Sequence, residues 1–400
     1  MPRGFALRVP GFRAAGVACG IKRGALDLAL LVSDGPASVA GVFTRSTVVG
    51  APVALSRERV RRGHARAIVA NSGCSNVAMG ARGERDAVAM ARLAAAAVGC
   101  APEEVLVAST GVIGRPLPLA KIRRGVGLAA GALSAGGLAA AARAIMTTDT
   151  FPKTAQARVR VGGRAVTVAG IAKGSGMIEP DMATMLAFVC TDACASPAFL
   201  RRALREAAAA SFNRVTVDGE TSTSDSLFLL ANGHAGNPEL RGPASRGAAA
   251  FRTALREICE SLARDLARDG EGATKLVTVR VEGAATAGEA ECAARRIANS
   301  LLVKTAIFGA DPNWGRILQT VGAGRLRLRL PRTRVELAGV TVFRDGRPAG
   351  PAATARAAAL LRAESEIEIR VALGAGRASA RVWTCDLSYG YVRINAEYTT

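Results

Sequence analysis

The chain has 400 residues, half of them hydrophobic and few aromatic, with a formal net charge of +21. That length implies two or three substructures, and the composition excludes a disordered chain. Forty-seven of the 53 basic residues are arginines, spread along the chain without interleaved aromatics or a recognised nucleic-acid motif, so small anionic metabolites suit the charge better than a nucleic acid does.

Two histidines, and eight cysteines without CxxC spacing, argue against a metal site and fit free thiols in a reducing compartment. The opening Met1-Pro-Arg-Gly-Phe5 lacks an apolar signal core. The uncharged segment 125–142 is mostly Ala and Gly, which reads as a buried helix and not a membrane span. The expected location is cytoplasmic, with no membrane partner.

Taken in order, residues 26–33 and 37–44 read as short strands separated by Asp34-Gly-Pro36, the pattern of a hairpin or meander. A strand over 65–70 opens into the polar loop Asn71-Ser-Gly-Cys-Ser-Asn76, to which no substrate contact is assigned. A helix over 84–99 precedes a strand over 104–109. That strand runs into Thr110-Gly-Val-Ile-Gly114, where a tight glycine turn can aim backbone N–H groups at one point, as an oxyanion requires. An ordinary strand-to-helix turn fits equally well. A helix over about 126–145 leads to the polar run Met146-Thr-Thr-Asp-Thr150.

Strands over 156–161 and 165–171 pair through Gly162-Gly163 and deliver the chain to Lys173-Gly-Ser-Gly176. This loop lacks the spacing of a phosphate-binding P-loop. The segment continues through Pro180 to Met182-Ala183-Thr184, then into an apolar run, 185–189, of the right length for a buried strand. Thr184 is thereby expected at the mouth of a strand, beside a glycine loop. A threonine hydroxyl is a weak nucleophile unless a base adjoins it, and its own α-amine can serve once the chain is cut before it. Such an amine titrates near about 7.7–8.0, so a useful fraction is unprotonated at neutral pH. Residue chemistry alone leaves Thr184 open to being an ordinary strand threonine, and Lys173 a surface cation.

Beyond lie a helix over 197–212, a hydroxyl-rich segment 215–226 expected to be a hydrogen-bonded loop near the site, a strand over 227–231 and a Gly/Pro/Ser-rich loop over 232–247. An amphipathic helix over about 247–268 ends at Asp269-Gly-Glu271-Gly-Ala-Thr-Lys275, where a glutamate between glycines is commonly a solvated cap. A strand, a helix over 287–300 and the turn Asp311-Pro-Asn-Trp314 follow, the turn reading as structural, as a subunit contact or as the floor of a site. Arg325-Leu-Arg-Leu-Arg-Leu330 alternates with period two, predicting a strand with Leu inward and Arg outward. A helix over about 353–362 precedes the C-terminal stretch with Asn395 and Thr400, where fraying is the ordinary expectation.

The stretch Lys173-Gly-Ser-Gly-Met-Ile-Glu-Pro-Asp-Met-Ala-Thr-Met-Leu186 resembles the cleavage and nucleophile segment of the ornithine acetyltransferase (glutamate N-acetyltransferase) family. It matches every fixed position of the pattern K-G-S/A-G-M-I-x-P-x-M-A-T-M-L, and the likeness extends from Gly11 to the last residue. The resemblance implies an α/β fold, a layered αββα sandwich similar to N-terminal-nucleophile enzymes but differently connected. It implies autocatalytic cleavage between Ala183 and Thr184, giving fragments 1–183 and 184–400 that share a core and assemble as a heterotetramer, two of each.

The implied reaction moves an acetyl group from N-acetylornithine through Thr184 to glutamate, by ping-pong logic. Carried over residue by residue, Thr110 and Gly111 hold the oxyanion, while Thr147, Lys173, Glu271, Asn395 and the terminal hydroxyl residue Thr400 bind substrate. No cofactor or metal is implied, and use of acetyl-CoA as a co-substrate is left open. Cys74, Ser75, Glu220 and Ser224 depart from the family's usual residues. The alternatives are a related self-processing aminopeptidase, which would hydrolyse instead of transferring, and a basic nucleic-acid-binding protein, which would not be cut.

Overall fold

Runs of Val, Ile, Leu and Ala bounded by glycines build most of the strands. The computed structural model describes residues 7–179 and 185–397. The expected cleavage pair, Ala183 and Thr184, and the terminal Thr400 lie outside the described residues.

A first sheet holds β1 (Phe12–Val17), β2 (Leu28–Phe43), β3 (His64–Cys74), β4 (Val105–Val112), β5 (Lys153–Val161), β6 (Arg164–Lys173), β7 (Leu186–Thr191) and β8 (Ser226–Ala231). Its order is β4-β3-β2-β8-β7-β6-β5, with β1 beside β2. The β3–β4 and β7–β8 pairs are parallel and the remaining neighbours antiparallel. Six helices accompany it: α1 (Ala51–Val60), α2 (Gly80–Val98), α3 (Leu119–Gly131), α4 (Leu138–Ala144), α5 (Pro197–Ala210) and α6 (Ala248–Arg268). Local sequence sets their ends. Ser196 starts α5, its side chain accepting from Phe199 N, with Pro197 in the first turn where no amide is missed.

The long strand β2 joins two halves of this sheet. Leu28–Val32 pairs with β1 and β3, whereas Ser38–Phe43 pairs with β8. Successive side chains face opposite ways. Leu28, Leu30 and Val32 pack with α2 and α3, and Ala40 and Val42 pack with α5 and α6. Leu31 and Val39 enter a middle layer with Ile68 and Leu106 from one half-sheet and Ile171, Phe188 and Phe228 from the other. The layers are therefore helix, sheet, sheet, helix: the expected αββα sandwich.

A second sheet, β12-β11-β10-β13-β9-β14, contains β9 (Leu276–Ala284), β10 (Arg334–Leu337), β11 (Val340–Arg344), β12 (Arg347–Pro348), β13 (Glu366–Ala372) and β14 (Ala378–Cys385). Its apolar face, with Val279, Val335, Ile369 and Val382, is covered by α7 (Ala287–Asn299), α8 (Leu301–Phe308), α9 (Trp314–Ala323) and α10 (Pro351–Ala363). Helix α11 (Tyr389–Glu397) ends the described chain, with no buried residue of its own.

Several expectations are corrected. Residues 26–44 form no hairpin: Asp34-Gly-Pro36 lies inside β2, where the β2–β3 register shifts. The kink is held from outside, because Arg66 donates to the Ser33 and Asp34 carbonyls and Asp34 pairs with Arg13. Residues 71–74 belong to β3 and not to a loop, paired with Ser109–Val112. The helix expected over 126–145 is two helices, because Ala14 and Ser134 bridge between them. Gly137 permits that approach; a Cβ there would lie 1.7 Å from the Ala14 carbonyl oxygen. Residues 326–329 are not a strand, although the alternation survives: Leu326 and Leu328 pack on the second core while Arg325, Arg327 and Arg329 are exposed. The C-terminal stretch is helical through Glu397.

Candidate active site

The ends of four strands of the first sheet converge on one cavity of about 400 Å³. β4 brings Thr110 and Gly111, β6 brings Lys173, and β7 brings Leu186, preceded by Met185. Ser224 and Asp225 precede β8, Thr147 follows α4, Glu271 follows α6, and α11 supplies Tyr391 and Asn395. Thr110, Gly111, Thr147, Lys173, Glu271 and Asn395 are thus brought together from five segments of the chain. Trp314 is elsewhere, stacked on Phe343 at 4.9 Å in the second core.

At the end of β4, Gly111 has φ +121° and faces Gly73 of β3 in register. A Cβ at 111 would lie 2.5 Å from the Gly73 carbonyl carbon, so only glycine fits this turn. The Thr110 hydroxyl accepts from Lys173 Nζ at 3.4 Å. Having accepted an ammonium proton, it keeps its own O–H available as a donor.

Beneath the cavity lies a cluster of buried charge. Lys153 Nζ is fully buried, 2.7 Å from Asp149 Oδ1 and 2.5 Å from Asp269 Oδ2. Asp149 Oδ1 also accepts from Gly174 N at 2.7 Å, and Oδ2 from Thr147 N at 2.9 Å. Lys173 Nζ stands 3.9 Å from Asp149 Oδ2. Removing an ion from water costs several kcal/mol unless partners replace the solvent, so these four charges are stable only as a neutral set. Burial alone would raise the Asp149 carboxyl, but the ammoniums of Lys173 and Lys153 and the donated hydrogen bonds hold it well below the usual carboxylate range. Burial pushes the Lys173 ammonium down, Asp149 opposes that, and Lys153 adds to it.

This cluster orders the walls above it. Thr150 donates to Asp269 through both N–H and hydroxyl, and Ser175 Oγ donates to the Asp269 carbonyl at 2.6 Å. Glu271 N donates to the Ser175 carbonyl at 2.9 Å, and Asn395 Nδ2 donates to Glu271 Oε2 at 2.8 Å. On the opposite wall, Asp218 accepts from Met177 N and Ile178 N at 2.7 and 2.8 Å. Burial, together with the Asp218 and Glu271 charges, pushes the Tyr391 hydroxyl up to about 12, so it stays a donor, 3.5 Å from Asp218.

The hydroxyl-rich segment expected near the site lines the cavity through Asp218 and residues 220–225, and so does Ser75, to which sequence reasoning assigned no role. It also passed over Asp149, Lys153 and Asp269. The only local signal was the i, i+4 spacing of Asp149 and Lys153. Burial pushes the Cys74 thiol beside Ser75 up, which disfavours its thiolate form.

The family model of the ArgJ family matches residues 13–400. The chain belongs to the ArgJ family. The arginine biosynthesis bifunctional protein ArgJ of Symbiobacterium thermophilum is 51% identical over 393 residues, covering 98% of this chain and 97% of its own. That of Geobacter sulfurreducens is 48% identical over 395 residues, covering 98% and 100%. A crystal structure of the arginine biosynthesis bifunctional protein argJ from Bacillus halodurans matches with a TM-score of 0.51 at 42% identity, over 53% of this chain and 98% of that one. Among the described residues, no helix is long and apolar enough to cross a membrane.

Proposed function

We propose that this ArgJ-family protein is an acyltransferase of arginine biosynthesis that carries acetyl from N-acetylornithine to glutamate on Thr184. The observation that carries the reading is the convergence of Thr110, Gly111, Thr147, Lys173, Glu271 and Asn395 on a single cavity that Met185, next in the chain after Thr184, also lines.

The chain first cuts itself. The Thr184 hydroxyl attacks the Ala183 carbonyl, the peptide nitrogen leaves, and an ester forms; water opens it to an Ala183 carboxylate and a free Thr184 amine. β6 and β7 flank the cut and pair from Val168↔Thr191 to Lys173↔Leu186, which supports fragments 1–183 and 184–400 staying in one fold. The solved relative matches just over half of this chain while nearly all of its own length is used, which suits a fragment starting at 184. Two of each fragment make up the assembly.

In transfer, the Thr184 amine takes the hydroxyl proton as Oγ attacks the acetyl carbonyl. The oxyanion sits against Thr110 and Gly111, a kind of contact worth about 2.7–4 kcal/mol per donor. Collapse breaks the amide, the departing ornithine amine takes the proton, and acetyl-Thr184 remains. The glutamate amine then attacks the ester and leaves as N-acetylglutamate, with the hydroxyl restored. Lys173 faces the carboxylate of either substrate and Glu271 its amino end, a pairing of opposite charges. Thr147 and Asn395 complete the pocket, Thr400 is assigned a substrate contact by the family resemblance alone, and the enzyme is cytoplasmic.

Purified protein mixed with N-acetylornithine and glutamate, with and without acetyl-CoA, should yield N-acetylglutamate and two bands on a denaturing gel. The acetyl-CoA arm decides whether glutamate is also acetylated directly. Thr184→Ala should leave one uncut band and no transfer. A cut, active variant, or hydrolysis of the donor in place of transfer, would overturn the assignment.

A further inference from the structure

In a chain that uses arginine for most of its positive charge, two of the six lysines stand on either side of one carboxylate. Lys153 lies outside the cavity and hydrogen-bonds Asp149 at 2.7 Å and Asp269 at 2.5 Å. Lys173 lines the cavity, stays 3.9 Å from Asp149, and its Nζ makes one hydrogen bond among the described residues, to Thr110 at 3.4 Å. A buried ammonium beside a carboxylate normally closes to about 2.7–2.9 Å. Lys173 has not closed: Asp149 Oδ1 is shared by Lys153 and Gly174 N, Oδ2 accepts Thr147 N, and the Lys153 ammonium on the same carboxylate repels a second one.

We propose that Lys153 is a positioning residue that occupies Asp149 and so leaves the Lys173 ammonium free in the cavity for the carboxylate of an amino-acid substrate. The inference rests on the acyl-transfer reading of this cavity. Lys153 does a second thing through Asp269. That residue is two positions before Glu271, so one ammonium ties down the walls that meet the two ends of the substrate.

The charges facing Lys173 are Asp149, Lys153, Glu271 and Asp225, and Lys22 from the segment after β1 also lies within reach. Lys153 disfavours the Lys173 ammonium and Asp149 favours it. Removing the first must therefore move its titration up, and removing the second must move it down.

The test is steady-state transfer from N-acetylornithine to glutamate, across pH, by the purified self-cut protein as wild type, K153M, D149N and K153M/D149N. In K153M the Lys173 ammonium closes on Asp149. KM for both substrates rises about 10- to 100-fold, the worth of one charge-assisted contact, with kcat little changed. The alkaline limb of kcat/KM moves up in K153M and down in D149N. Adding D149N to K153M removes the capturing carboxylate and recovers part of KM. An unchanged KM in folded K153M, limbs that move in the same direction, or a double variant worse than K153M overturns the proposal. Should K153M not accumulate folded, the smaller change K153Q decides by the same readouts: a raised KM with an upward limb supports the proposal, and an unchanged KM overturns it. A wild type that transfers no acetyl sinks the acyl-transfer reading, whereas an active wild type with unaltered variants sinks only the role of Lys153.

Discussion

The two sheets use charge in opposite ways. At the cavity end of the first, Asp149, Lys153, Asp269 and Lys173 are buried and held by one another and by backbone groups. On the second, Arg280, Glu282, Glu368 and Arg370 face outward and pair between neighbouring strands, Arg280 with Glu368 and Arg370 with Glu282, each at 2.8 Å. The sequence of β13, Glu366-Ile-Glu-Ile-Arg-Val-Ala372, shows how the second arrangement arises: Ile367, Ile369 and Val371 fill the core and the charges are what is left for water. The lesson is that residue type does not separate chemistry from solubility. Burial does, because a solvated ion pair is screened and weak while a buried one fixes the geometry around it.

The contrast can be broken at either pole. Gly111→Ala should have the largest effect, because φ +121° and the 2.5 Å approach to Gly73 leave no place for a Cβ. Its kcat should fall about 10²–10³-fold, as for loss of an oxyanion donor. Steady-state kinetics on folded, self-cut protein check this, and a wild-type kcat would remove the turn from the chemistry. Next, Asn395→Ala deletes the 2.8 Å hydrogen bond to Glu271 at an exposed position. KM should rise up to about tenfold with kcat less affected, the low end for a bond to a charged group. A KM that stays put would mean that α11 covers the cavity without shaping it. At the other pole, Arg280→Ala should cost only about 0.2–1 kcal/mol in denaturant unfolding and leave kcat and KM alone. A large kinetic effect there would erase the distinction between the sheets.

Much of this was legible in the sequence, and the failures have physical causes. The strands over 165–171 and 185–189 and the helix over 247–268 were readable because their patterns are strong and their neighbours agree. The grouping of Thr110, Gly111, Thr147, Lys173, Glu271 and Asn395, which line the cavity, was readable only through the family motif, since nothing local distinguishes Lys173 from a surface cation. Asp34-Gly-Pro36 misled because turn chemistry also suits a kink in a strand that Arg66 and Arg13 brace from elsewhere. The helix break at 132–137 was invisible because its cause, the approach of Ala14, is remote in sequence. The same holds for Asp149, Lys153 and Asp269, where a salt bridge spanning 116 residues makes the cluster.

One further consequence belongs to the β6–β7 ladder, which joins residues on both sides of the Ala183–Thr184 bond from Val168↔Thr191 to Lys173↔Leu186. Covalent continuity across that junction is not what aligns the two strands; their shared amide lattice is. A gene divided there into two open reading frames, the second beginning at the codon for the threonine after its initiator is trimmed, should therefore yield partners that find the same architecture when made together.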